Sequence, residues 1–355
     1  MSRIDSQAVD FDAFDATQRG FYPRLKVLIL PVNRELVLAS RIRIGYEGVV
    51  EISDERISKA PPGRERSEEV PGAVDPLEVT KVLKSSRSGA GQTMLILDIG
   101  LDTNHVDFKK RIPAPVVKPF VSSPYTADSG HGTRSAGLAC GPRKPANGKR
   151  YGVAYESALT LGQVADEYAD IPDEALIAGM EYAIEKRIPV VNMSLGQQIR
   201  KTSGYSRAFE LAAQRALNEG VLLIAAAGND EAEAGNVAVN HPANCPSVMA
   251  VGALDGNLRP WPGSCVRLRC DGEVDLVAPG YDVRSSTVGR DPYNTRSGTS
   301  SAAAIASGIA TLWVEALARK NVRGCQLWNV LVDHAESVKG GQRSTTGAGL
   351  IQAPV

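Results

Sequence analysis

The chain has 355 residues, 43% of them hydrophobic and 23% charged, the make-up of an ordinary globular protein with room for one large α/β domain and a smaller appendage. Its 40 basic residues balance its 40 acidic ones, so charge gives no reason to expect nucleic acid or an anionic membrane as a partner. Apolar runs such as Val221–Gly228 are far too short to span a bilayer, and the acidic opening residues do not read as a secretory signal, so a cytoplasmic location is expected.

After a polar lead-in, Arg24–Val32, Glu35–Ile44 and Gly48–Ile57 read as strands, the second by its alternation of apolar and polar side chains. Ser58–Gly72 mixes Pro, Gly and dense charge, which is linker chemistry. It divides the chain into an N-terminal module, residues 1–72, and a main domain, residues 73–355. Asp75 before Pro76 is an N-cap and first-turn pair, predicting a helix over Asp75–Ser86. Thr93–Gly100 is a short apolar strand that closes on Asp98. Pro172–Arg187 is an amphipathic helix opening with acids and closing with bases, and it feeds the strand Ile188–Leu195. Tyr205–Gly220 is the next helix, stopped by its glycine, and the strand Val221–Ala227 follows at once. Ser247–Leu254 and Val274–Gly280 are further strands, and a helix of small residues begins near Ser300.

Buried strands without alternation, separated by amphipathic helices, predict a mainly parallel sheet covered on both faces. Functional loops in such sheets lie at the carboxyl ends of the strands, where Asp98 and the Ala225–Asp230 loop fall. The five cysteines show no metal-ligand spacing and read as free thiols, with a Cys265–Cys270 pairing as the alternative.

A serine nucleophile needs a base, an acid to orient the base, and donors for the oxyanion. Of the four histidines, His131 sits between Gly130 and Gly132, which present an imidazole at a helix start with little hindrance. His105 and His241 read as turn residues and His334 as a helix-surface residue. Asp98, ending a buried strand, needs a partner for its carboxylate.

The segments LILDIGLDTNHVDF, GHGTRSAG, NMSLG, AAAGND, VDLVAPG and SGTSSAAAIASG stand in the order and approximate spacing of the subtilisin-like serine proteases, and from about Ala73 onward the chain resembles that family. The resemblance implies a three-layer α/β/α fold with a mainly parallel central sheet, preceded by a small N-terminal β-rich or α+β module. It implies a serine endopeptidase, with an intracellular processing role as one reading. Asp98 would orient His131, His131 would take the proton of Ser300, and Ser300 would attack the scissile carbonyl through an acyl-enzyme. Asn229 would donate to the oxyanion. Ser194, Leu195 and Gly196 on one side, and Ala226, Ala227 and Gly228 on the other, would flank the backbone of a peptide or protein substrate. The other reading is a catalytically silent subtilisin-like protein that binds peptides.

The chain departs from the family pattern at Ile99, beside the acid, where a hydroxyl is usual. It carries Arg134 and Ser135 where the family commonly has His-Val, and Ser301 and Ala304 where a Met and a Pro usually follow the nucleophile. No cofactor is required by this chemistry. Many relatives carry structural calcium, for which no metal ligand set can be assigned here, the acids of Asp102–Asp107 being equally explained by a turn. Relatives also often carry an inhibitory propeptide, so residues 1–72 are either an intramolecular inhibitory segment or a permanent accessory module.

Overall fold

The structure, a computed structural model, describes residues 21–22, 24–25, 27–28, 57–58, 64–66, 74–125, 130–199, 204–229, 238–266 and 272–355. Its strands are β1 (Phe21–Tyr22), β2 (Val27–Leu28), β3 (Ile57–Ser58), β4 (Arg64–Arg66), β5 (Thr93–Asp98), β6 (Val116–Pro119), β7 (Ala158–Gln163), β8 (Ile171–Pro172), β9 (Val190–Met193), β10 (Leu222–Ala226), β11 (Met249–Leu254), β12 (Leu276–Pro279), β13 (Val283–Ser286) and β14 (Tyr293–Ser297). Its α-helices are α1 (Pro76–Val79), α2 (Gly130–Cys140), α3 (Asp173–Lys186), α4 (Arg207–Asn218), α5 (Thr299–Ala316), α6 (Gly324–Asp333) and α7 (Arg343–Thr346).

The apolar runs assemble into a seven-stranded sheet in the order β12-β11-β10-β9-β5-β7-β6, with every neighbouring pair parallel. Side chains alternate between its two buried faces. Met94 and Ile96 of β5 join Leu222, Ile224 and Ala226 of β10 on the face covered by α2 and α5. Leu95 and Leu97 join Leu223 and Ala225 on the face covered by α3 and α4. The result is the expected α/β/α sandwich, and both helices that begin with candidate catalytic residues lie on the same face.

The small residues of α5 have a packing cause. A Cβ at Gly308 would fall 2.6 Å from Val153 Cβ and 2.8 Å from the carbonyl oxygen of Ala139 in α2. Every residue from Ala302 to Val314 is buried, so the helix threads the interior next to α2.

Helix α3 follows the sequence reading, with Asp173 and Glu174 in its first turn, Lys186 in its last and Arg187 as a left-handed C-cap. Helix α1 does not. Asp75 caps it by accepting from Leu77 N at 2.8 Å, but the helix ends at Val79. The C-terminal segment takes the carbonyls beyond: Ala353 N donates to Thr80 O at 2.9 Å and Gln352 Nε2 to Val79 O at 3.2 Å. A tertiary contact thus ends what local propensity would have continued.

Of the strands expected over residues 24–57, Glu35–Ile44 lies outside the described residues, as do residues 26 and 29–32 of the first and 48–56 of the third. The described N-terminal pieces dock on the sandwich. Leu25 is fully buried in the layer of α3 and α4, and the backbone N–H groups of Arg24 and Leu25 each donate to the Glu181 carboxylate of α3 at 3.0 Å. Strand β3 pairs antiparallel with β8, and β4 adds as a third strand to the β13–β14 hairpin. Cys140 is a buried free thiol and Cys325 an exposed one, Cys245 and Cys265 are buried, and Cys270 lies outside the described residues. Among the described residues, no helix is long and apolar enough to cross a membrane.

Candidate active site

Asp98 ends β5 at the carboxyl edge of the sheet, with 1% of its surface exposed. Its Oδ1 accepts from Ile99 N at 2.8 Å, and its two oxygens stand 2.8 and 3.0 Å from His131 Nδ1. A carboxylate can only accept, so Nδ1 carries the proton and Nε2 is left as the acceptor. The close approach depends on Gly132: a Cβ there would lie 1.9 Å from Gly100 O and 3.2 Å from Asp98 Oδ1. Thr133 reinforces the junction, its hydroxyl accepting from Asp102 N at 2.8 Å.

Ser300 is the second residue of α5 and is partly exposed. Its Oγ donates to Ser194 O at 3.0 Å, and Ser194 Oγ returns a bond to Ser300 O at 2.9 Å. The structure forms no hydrogen bond between Ser300 Oγ and His131, so the serine's hydroxyl is parked on the carbonyl rather than on the imidazole. Catalytic hydrogen bonds often tighten only when substrate is bound. Beneath the pair runs a buried polar chain: Ser307 Oγ donates to Asn192 Oδ1 at 3.1 Å, and Asn192 Nδ2 donates to Ser194 Oγ at 2.9 Å. Sequence reading missed Asn192 and Ser307. The available signal was an amide inside an otherwise apolar strand, which demands buried partners.

Gly298 is the N-cap of α5, and no side chain caps the helix. Thr299 instead serves Asn229. Its N–H and its hydroxyl donate to Asn229 Oδ1 at 2.9 and 3.0 Å, and the hydroxyl accepts from Gly228 N at 3.1 Å. With Oδ1 so engaged, the carboxamide presents Nδ2 as its open donor beside the helix N-terminus.

The two segments expected to flank a substrate backbone are both tied to residues 240–241. Asn240 N donates to Ala227 O at 2.8 Å, and Gln197 and His241 exchange backbone bonds of 2.7 and 3.0 Å. Leu195, Ala226 and Ala227 are buried core residues, and a Cβ at Gly228 would lie 2.3 Å from Asn240 Nδ2. Ser194 and Gly228 reach the site by bonding Ser300 and Thr299. His241, read as a turn residue, is fully buried with Nε2 2.8 Å from Asp173 Oδ1. His105 is buried too, its Nε2 2.8 Å from Pro292 O.

Among the described residues, no group of three or more His, Cys, Asp or Glu side chains is arranged to hold a metal ion. Asp102 forms a turn with Asn104 N at 2.9 Å, and Asp107 accepts from Tyr151 OH at 2.5 Å and Tyr293 OH at 2.9 Å.

An acid-bound imidazole, a helix-borne serine and an oriented carboxamide on one edge of a parallel α/β/α sandwich place this protein in the subtilisin-like class. The chain belongs to the subtilase family, whose profile matches residues 89–349. It is 33% identical over 238 residues to subtilisin-like protease 3 of Pseudogymnoascus destructans, an alignment covering 64% of this chain and 54% of that one. It is 30% identical over 247 residues to a subtilisin of Bacillus pumilus, covering 69% and 85% respectively. A solved cold-adapted subtilisin-like serine proteinase superposes with a TM-score of 0.61 at 28% identity, over 76% of this chain and 92% of the other. The chain thus spans about half the length of the fungal relative.

Proposed function

We propose that this protein is a serine endopeptidase working through Asp98, His131 and Ser300. The observation that carries the reading is the Asp98–His131 pair at 2.8 Å, with Ser300 at the head of a helix on the same sheet face. Asp98 fixes the tautomer and stabilises the imidazolium. His131 Nε2 takes the proton of Ser300 Oγ as the hydroxyl leaves Ser194 O and attacks the carbonyl carbon. The oxyanion is met by Asn229 Nδ2 and the first-turn N–H of Ser300. His131 then protonates the departing amine, and water, deprotonated by the same imidazole, hydrolyses the acyl-enzyme.

The alternative is a silent peptide-binding relative, for which the parked Ser300 hydroxyl speaks. A fluorophosphonate probe separates the two. Labelling of the wild type that is lost in Ser300→Ala supports the peptidase, and a folded wild type that takes no label supports the silent protein.

The N-terminal residues, 1–72, read best as an intramolecular inhibitory module on the domain of residues 73–355. Strand β4 is paired to β14 up to Ser297, three positions before Ser300, and β3 is paired to β8, which leads into Asp173, the partner of His241. A segment paired so near Ser300 would compete with a substrate that binds as an added strand.

A further inference from the structure

We infer that Arg134 is a positioning residue that sets the separation of His131 and Ser300, and that Ser301 is fitted to receive it. The inference rests on the reading of those two residues as base and nucleophile. Arg134 lies one helical turn beyond His131 in α2 and is 5% exposed. Among the described residues its guanidinium has no carboxylate within ion-pair range. It donates instead to backbone carbonyls of the β13–β14 hairpin: to Val283 O, to Asn294 O at 3.2 Å and to Arg296 O at 3.2 Å. It also bonds Asn294 Oδ1 at 3.2 Å and reaches Ser301 Oγ at 3.5 Å.

A buried cation without a counter-ion is costly unless fixed dipoles surround it, and here they do. Burial pushes its pKa down to about 9, still above neutral, so the charge persists at neutral pH. The hairpin answers in kind. Ser285 Oγ donates to Arg134 O at 3.0 Å and Ser286 Oγ to Thr133 O at 2.9 Å, while a Cβ at Gly137 would fall 2.1 Å from Ser286 Oγ. Helix α2 is therefore sewn to β13–β14 from both sides, and β14 runs through Gly298 directly into Ser300. Because His131 and Ser300 do not bond each other, their spacing is inherited from this seam.

Positions 134 and 301 are also two of the places where the chain departs from the family pattern, and they meet. A methionine at 301 would put its thioether where the guanidinium reaches, whereas the 3% exposed serine offers room and an acceptor. The two departures form one compensated pair.

The test compares full-length wild type with Arg134→His, Ser301→Met, the double variant and Arg134→Lys. Each is followed by the rate of fluorophosphonate labelling, normalised to the serine that finally labels, and by KM for a peptide. Each of the first two single variants should slow labelling about tenfold or more with KM within about twofold. The double should exceed the product of the singles at least about fivefold, and Arg134→Lys, which keeps the charge and loses the fork, should fall between wild type and Arg134→His. A residue that merely supports the fold would lower Tm and the fraction labelled, not the normalised rate. Singles within twofold of wild type, or a double equal to their product, overturn the inference. Should the Arg134 variants fail to fold, Ser301→Ala decides, since it keeps the arginine and deletes only the acceptor: an unchanged normalised rate ends the inference and a slower one supports it. A wild type that takes no label overturns the peptidase reading and this one together, whereas a labelled wild type with unaffected variants overturns this one alone.

Discussion

Asn229 shows how much of a site is decided by one neighbour. A carboxamide can turn either end toward the cleft, and Thr299 settles the matter by giving two donors to Oδ1. Truncation in Asn229→Ala removes the open donor and leaves the seat intact, so the loss should fall on kcat. A decrease of about 10²–10³-fold with KM little changed is expected, the cost known for this donor in subtilisin itself. Steady-state kinetics on a peptide substrate measure it, and a loss confined to KM would reject the assigned role. Gly132 works by absence: only a residue without a side chain lets α2 begin against Gly100 O, and that approach is what brings the imidazole to Asp98.

Among the elements, α5 carries the most constraint. It must deliver Ser300 at its head while its body passes between the sheet and α2, and its run of alanines is the solution to that packing. Gly308→Ala sets a helix-propensity gain of up to about 1 kcal/mol against overpacking of about 1–3 kcal/mol. With Val153 Cβ at 2.6 Å and a carbonyl at 2.8 Å, overpacking wins. Thermal unfolding should show Tm lower by roughly 2–6 °C, with catalytic rate per active molecule unchanged; a raised Tm would mean that Val153 yields more easily than argued. Helix α1 makes the opposite point. Its start is written in Asp75 and Pro76, yet its end is imposed by Gln352 and Ala353, more than 270 residues away.

At the scale of the molecule, a buried acid bears on stability, and the proposed inhibitory role of the N-terminal strands bears on access. Asp275, whose Oδ2 accepts from Ala250 N at 2.8 Å, is raised by burial, with Glu273 adding to it, from 3.8 to about 7. Between those values the folded chain holds a proton that the unfolded chain releases, so the contribution of Asp275 to stability is greatest below pH 4, falls as pH rises to 7 and is flat above. Asp275→Asn keeps an acceptor for Ala250 N and cannot ionise. Its Tm should exceed wild type by about 5 °C at pH 8 and match it at pH 4; equal offsets at both pH values would contradict the argument. For the N-terminal module, a proline at 64 or at 65 in the full chain removes one ladder donor facing β14 in one of the two variants. That variant should label with fluorophosphonate several-fold faster than wild type if β4 obstructs the cleft, and at the same rate if it does not.

The apolar runs from Thr93 to Gly280, their order and the glycines around His131 carried the parallel sheet and the four principal candidates, because strand burial, helix starts and close backbone approach are local properties written in adjacent residues. Tertiary structure alone decided the rest. It seated Thr299 under Asn229, tied Asn240 and His241 to Ala227 and Gln197, and joined Arg134 to a hairpin some 150 residues distant. Hydrogen-bond partners of buried polar groups are chosen by which elements pack together, and neither periodicity nor composition encodes a contact between side chains that meet only after the sheet has closed.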